Sequence, residues 1–298
     1  MRNHIFSIFR IMLIILLPLQ LLADDSSKLS GKMGYLIDGL SSVKYKDARI
    51  AFDLWKIEVT KNNDIDVSIK YLDTEKEIIK GYKNSEFEYI SINPFFYLKN
   101  SKLIDSLTQT CSITLEGDKE FEQYVLLVKD KNIKTLKDLR GKKIGIENDD
   151  YLAKIFLEYE SLKKLSKNLK KSRYEIVKTK KKSTAILNTY FGKIDACVVP
   201  ISTYNLVQEL NPSVSKKLRV LSVSQEIFMP LITFFHKDAN KQFVDILINE
   251  INILPTTSQG QNILNLFKIK GVKKIECKKL EPLKTFYKKY ELLKSSKK

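Results

Sequence analysis

Gly81-Tyr82 followed by Glu88-Tyr89-Ile90-Ser91-Ile92-Asn93-Pro94-Phe95-Phe96-Tyr97-Leu98, and later Phe191-Gly192 followed by Asp195-Ala196-Cys197-Val198-Val199-Pro200-Ile201-Ser202-Thr203-Tyr204, are one pattern written twice. Each copy follows an apolar stretch with helical spacing. Each then has a carboxylate, a short buried-looking strand, a proline, and a tyrosine nine positions after the carboxylate. The two tyrosines stand about 107 positions apart, close to the size of one small α/β unit. A chain that builds the same corner twice is expected to have two similar lobes with a cleft between them, and such clefts are where small ligands bind. The competing explanation is coincidence between two ordinary helix–turn–strand units.

Working outward, the first half reads β-α-β-α-β. Met33 to Ile37 is a strand. A polar loop, Asp38 to Lys46, leads to Asp47 as a helix cap. Apolar residues then recur at helical spacing from Ala48 to Val59 (Ile50, Ala51, Leu54, Trp55), with Trp55 read as core. Ile65 to Leu72 alternates like a strand, Thr74 to Gly81 is a short helix, and Glu88 to Ile92 is the next strand. This order implies a mainly parallel sheet. The second half repeats it. Tyr124 to Val128, Lys143 to Ile146, Tyr174 to Val177, Ala196 to Val199 and Leu218 to Val223 are strands. Helices run from Asn148 through Leu157 and from Ser183 to Tyr190. Then come a strand, Pro230 to His236, and three amphipathic helices, Ala239 to Leu254, Thr257 to Phe267 and Leu280 to Leu293. The chain is expected to leave the first lobe near Cys111–Phe121 and return near Ser224–Met229, two crossings that make a hinge. The division is therefore 29–120 plus 225–298 for one lobe and 121–224 for the other.

The first 23 residues read as an export signal. Arg2 and Arg10 give a positive start, and Ile11 to Leu22 is an apolar run broken by Pro18, too short to span a bilayer comfortably. Cleavage is expected after Ala23, which places the protein in the periplasm; an uncleaved anchor is the alternative. The formal net charge is +17, and +15 without those two arginines. The lysines are spread along the chain among glutamates, and the tightest run, Lys178-Thr179-Lys180-Lys181-Lys182, has no interleaved aromatics. That is the pattern of a solvated lysine-rich surface, so no nucleic-acid partner is expected. The three cysteines lack metal-ligand spacing. Cys197 reads as a small core residue, while Cys111 and Cys277 have the option of pairing in an oxidising compartment. Outside the signal His236 is the one histidine. No Ser-His-Asp, Cys-His or metal constellation appears, so neither an enzyme nor a metal or cofactor site is expected.

The chain resembles the phosphate/phosphonate-type periplasmic substrate-binding proteins of ABC transporters, as a divergent branch. The matching stretches are Asp47-Ala48 leading to Trp55, Tyr124 to Val128, Leu136-Lys137-Asp138-Leu139-Arg140-Gly141-Lys142-Lys143, Phe191 to Ala196, Glu209-Leu210-Asn211-Pro212, and Thr257 to Gln261 with Leu264 and Phe267. They cover most of the mature chain in family order, and the Leu-x-Asp-Leu-x-Gly-Lys connector is specific to the fold rather than to a ligand. The resemblance implies an α/β protein of the type 2 periplasmic-binding fold, two lobes joined by a two-crossing hinge. It also implies a small-molecule ligand caught by lobe closure and a membrane permease as partner. A periplasmic sensor that signals to a membrane receptor, a kinase or cyclase, is the alternative. The sequence departs from the family at one place. Phosphonate binders put a Ser-Thr-Ser-Gly-like loop at the helix start after the second-lobe strand, where hydroxyls and free amides take the anion. Here those positions read Glu147-Asn148-Asp149-Asp150-Tyr151, and carboxylates there repel a phosphonate.

Ligands of open α/β lobes meet the carboxyl ends of the strands. That selects four loops: Tyr45, Lys46 and Asp47; Ser91, Asn93 and Tyr97; Asn148, Asp149, Asp150 and Tyr151; Pro200 and Ser202, with Tyr204. The bland alternatives are helix caps for Asp47 and Asp150, packing onto the sheet for Tyr97 and Tyr204, and a solvated charge for Lys46. Asp149 is the foremost candidate, because an acidic residue there suits a cationic amine or a hydrogen-bonding polar solute. A monomer is expected.

Overall fold

The computed structural model describes residues 28–36, 45–61, 63–117, 119–148, 150–167 and 169–296. The export signal and most of the loop from Asp38 to Lys46 lie outside the described residues. The described residues start with strand β1 (Leu29–Leu36), helix α1 (Tyr45–Thr60), β2 (Ile65–Leu72), α2 (Glu75–Lys83), β3 (Tyr89–Ile92), α3 (Pro94–Leu107) and β4 (Thr108–Leu115). The chain then crosses to β5 (Tyr124–Val128), β6 (Lys143–Glu147), α4 (Tyr151–Leu165), α5 (Leu169–Ser172), β7 (Glu175–Thr179), α6 (Lys182–Tyr190), β8 (Ala196–Pro200), α7 (Ile201–Leu210), α8 (Ser213–Lys217) and β9 (Arg219–Val223). It returns for β10 (Ile232–His236), α9 (Lys241–Ile253), α10 (Ser258–Phe267), β11 (Gly271–Ile275) and α11 (Glu281–Ser296).

These elements make two sheets, ordered β11-β4-β10-β3-β1-β2 and β7-β6-β8-β5-β9. The strands of the β-α-β-α-β run are parallel as expected, while each sheet also holds strands that run against the rest. β1 pairs in parallel with β2 and β3, but β10 runs antiparallel to β3 and β4, and β11 antiparallel to β4. In the second sheet β6 is parallel to β7 and β8, whereas β5 is antiparallel to β8 and β9. The physical reason is the hinge. A strand that enters a sheet from the other lobe, as β5 and β10 do, is not reached through a crossover helix, so nothing requires it to run parallel.

The two chain crossings hold each other. Glu122 and Phe228 form an isolated antiparallel bridge, with the Glu122 N–H donating to the Phe228 carbonyl at 2.7 Å and the Phe228 N–H donating back to Glu122 at 3.1 Å. Local sequence explains the helix starts. Thr74 and Glu77 form a reciprocal capping box before α2, and Asn93 precedes Pro94 at the first turn of α3. Asn240 and Thr257 cap α9 and α10. Strands β3, β5 and β8 are buried on both faces, as apolar strands between helical layers must be.

One face of the first sheet packs Met33, Tyr35 and Tyr89 under α1, α9 and α10, with Trp55 in that core as expected. The other face, through Ile90, Ile92 and Phe234, belongs to a core that continues into the second sheet through Tyr124, Leu126, Phe156, Phe228 and Phe286. Helix α11 bridges the two. Its Lys284 ammonium donates to Asp105 of α3 at 2.8 Å, and its Tyr290 hydroxyl donates to Glu158 of α4 at 2.6 Å. A disulfide joins Cys111 of β4 to Cys277, just before α11, with the Cα atoms 5.3 Å apart. Cys197 is free and buried in the core on the far face of the second sheet.

Candidate ligand site between the two sheets

The doubled corner is visible as two strand-to-helix turns, β3 into α3 and β8 into α7, and a third turn, β6 into α4, lies beside them. The first residues of α3 and α4 meet. The rings of Phe95 and Tyr151 lie 5.6 Å apart. A helix start leaves backbone N–H groups unpartnered, which is why such starts hold anions. Here a side chain has taken one at each start. The Asn93 Oδ1 accepts from the Phe96 N–H at 2.8 Å, and an Asp150 carboxylate oxygen accepts from the Ala153 N–H at 2.9 Å.

Asp150 is buried and also accepts from the Tyr124 hydroxyl at 3.0 Å. Its burial raises the carboxyl above the usual aspartate range, although the nearby Lys182 ammonium opposes this. Glu147, at the end of β6, is raised for the same reason, with Lys182 again opposing. Lys182 begins α6 and donates to both oxygens of Glu116 on the first crossing, at 3.0 and 3.1 Å. Burial alone would lower this ammonium, but Glu116 and Asp150 together hold it above its usual range. Half-buried Lys182 is therefore bonded to Glu116 and feels the charge of Asp150 and Glu147 where the crossing meets the second sheet.

The remaining candidates separate. Tyr45 is the first residue of α1, and nothing is described of its side chain; Lys46 and Asp47 are exposed in the first turn. Asp47 is thus inside the helix rather than its cap. Ser91 is buried, shares a hydrogen bond with the Thr233 hydroxyl, and lines an apolar cavity inside the first lobe with Trp55 and Phe267. It does not reach the Phe95–Tyr151 contact. Tyr97 is wholly buried, stacks near Phe234 at 4.8 Å and donates to Asp105, so it packs α3 onto the sheet. Asn148 gives its carbonyl to the Lys154 ammonium at 2.9 Å. Asp149, the foremost candidate, lies outside the described residues. Pro200 occupies the cap position of α7, and the Ser202 N–H points at Glu122 of the first crossing, 3.4 Å away. Tyr204 is buried and bonds the Leu218 carbonyl at 3.4 Å, again packing.

Sequence reasoning missed Glu116, Tyr124 and Lys182. Lys182 ends a lysine run read as solvated surface, yet it is the residue at which β7 hands over to α6, and that position turns its side chain inward to 19% exposure. The usable signal was the end of the β-pattern at Thr179 followed by a helical pattern, which puts Lys182 at a strand's carboxyl end.

Solved proteins share this fold. XAC2383 from Xanthomonas citri bound to ATP superposes with a TM-score of 0.59 at 10% identity, covering 90% of this chain and 98% of that one. PhnD1 from Prochlorococcus marinus (MIT 9301) in complex with methylphosphonate gives 0.58 at 16% identity, covering 89% and 99%. A binding-protein component of an ABC phosphonate transporter, PA3383 from Pseudomonas aeruginosa, gives 0.56 at 12% identity, covering 91% and 89%. No curated protein matches the sequence. The family described as ABC transporter, phosphonate, periplasmic substrate-binding protein matches residues 51–280. That span is most of the chain and includes both sheets' central strands, so the chain belongs to this family of periplasmic substrate-binding proteins of ABC transporters.

Proposed function

We propose that this protein captures a small cationic or neutral polar solute, not a phosphonate, between its two lobes and delivers it to a membrane permease. Family membership implies a small-molecule ligand and a permease, and puts the chain with transport components rather than sensors. The observation that carries the choice of solute is the state of the helix starts. One N–H at each of the two starts is taken, Phe96 by Asn93 and Ala153 by Asp150, and the carboxylates of Glu116, Glu147 and Asp150 surround Lys182. An anion entering there meets carboxylates. The relative from Prochlorococcus marinus was solved with methylphosphonate, and this chain shares its fold.

In this reading the lobes are 29–120 with 225–298, and 121–224. They rotate about the paired crossings at Glu122 and Phe228, and the ligand is held by Asn93, Asn148, Asp149, Asp150, Tyr151 and Ser202. The leader is removed after Ala23, and the mature protein works as a monomer without chemical turnover. Thermal-shift titration separates the alternatives. Spermidine or putrescine should raise the melting temperature in a saturable way while methylphosphonate does not. A saturable response to methylphosphonate alone would overturn the choice of solute, and no response to any amine or neutral polar solute would remove the solute-binding reading.

A further inference from the structure

A second cavity, of about 410 Å³, opens away from these turns, between α4, the return crossing and α11. None of the candidate ligand residues lines it. Its volume is within the range of small-molecule pockets. The aromatic part of its wall is Phe156 and Tyr159 from α4 and Phe286 from α11, with the Tyr159 and Phe286 rings 4.7 Å apart. Four charged side chains line it as well, Glu160, Lys163, Glu281 and Lys289.

Their partners decide its sign. Glu160 is buried and already neutralised, bonded by the Lys164 ammonium at 2.7 Å and the Ser222 hydroxyl at 2.6 Å. Glu281 pairs with Lys284 of its own helix. Lys163 lies 5.8 Å over the Tyr159 ring and, among the described residues, makes no ion pair. Lys289 likewise has no carboxylate partner among the described residues. Two ammonium groups without a carboxylate partner among the described residues therefore line the cavity, Lys163 over the Tyr159 ring, while both acidic groups are satisfied. Phe156 and Phe286 are buried behind that ring, so a flat apolar body meets the accessible Tyr159 ring, and an anionic head answers the lysines.

We propose that this groove is a second ligand site, for a small carboxylate anion carrying an aromatic ring. It is independent of the solute held at the helix starts. Isothermal titration of the full mature protein with sodium benzoate tests it. Saturable binding is expected, weakened about ten-fold or more in Lys163→Gln/Lys289→Gln, unchanged in the control Lys237→Gln, and weakened similarly when neutral benzamide replaces benzoate. Both lysines are exposed, so the double variant should melt with the wild type, and a melting curve run alongside checks this. Absence of saturable binding up to about 20 mM benzoate would overturn the proposal, and so would equal affinity in the double variant and wild type.

Discussion

The disulfide between Cys111 and Cys277 spans 166 positions of sequence, and its removal by Cys111→Ala/Cys277→Ala should cost much of the protein's stability. In the chain-entropy account the cross-link restricts the unfolded state, and a loop of this length corresponds to about 5 kcal/mol at 25 °C. Measured losses for native disulfides run roughly 2–5 kcal/mol, because reduced chains keep some structure. The bond also joins an interior strand of the first sheet to the entry of α11, which reaches from α3 to α4 through Lys284 and Tyr290. Its loss should loosen the bridge between lobes as well as the unfolded chain. The third cysteine does not confuse the experiment. Burial pushes the Cys197 thiol up to about 12, so at neutral pH it is almost entirely protonated and a poor partner in exchange. Urea unfolding, read by circular dichroism, should show the double variant and the reduced wild type with the same lowered midpoint, and the oxidised wild type well above both. If oxidised wild type and double variant unfold together, within about 1 kcal/mol, the cross-link and the argument built on it are wrong.

Other changes reach other parts of the account. Asp150→Ala removes both the cap of α4 and the acceptor of the buried Tyr124 hydroxyl, and should cost about 2–3 kcal/mol in urea unfolding, whereas Asp150→Asn keeps the cap and should cost clearly less. A side chain at Gly260 meets the Leu254 carbonyl oxygen at 2.0 Å, backbone that does not yield easily, so Gly260→Ala should lower stability by at least about 2 kcal/mol; a neutral result would place the start of α10 elsewhere. Burial lowers the pKa of His236, partly against the pull of Asp238. The unfolded chain then binds the proton first, so stability is flat above about pH 6.5 and falls by up to about 1.4 kcal/mol per unit as pH drops from there toward the folded value. His236→Gln should abolish that part of the slope, and an unchanged pH profile would contradict it.

Much of this architecture was legible, and the misses share a cause. The doubled corner and nearly every apolar strand can be read because burial on both faces forces a run of apolar residues, as in Tyr124 to Val128. β4 was not read as a strand, although it is an interior one, because its buried positions include Ser112 and Thr114, polar residues whose place is fixed by pairing with β10 and β11. β11 is short, carries two lysines and exists through its partner. The site was less legible than the fold. Tyr97 and Tyr204, which drew attention by repeating, pack into the core; Lys182, hidden in a charge run, is half-buried beside carboxylates. Periodicity reports which face is buried, but it does not say which loop from one lobe meets which loop from the other. Glu116 and Lys182 meet across 66 positions for that reason.

Native mass spectrometry of the mature protein purified from its own host is the most direct test of the central claim. The account predicts a one-to-one complex with an amine or neutral polar solute, lost in a variant carrying Asp150→Asn and Tyr151→Phe, and no retained adduct with added methylphosphonate. A stable methylphosphonate complex in the wild type, with no amine or polar solute able to displace it, would contradict it.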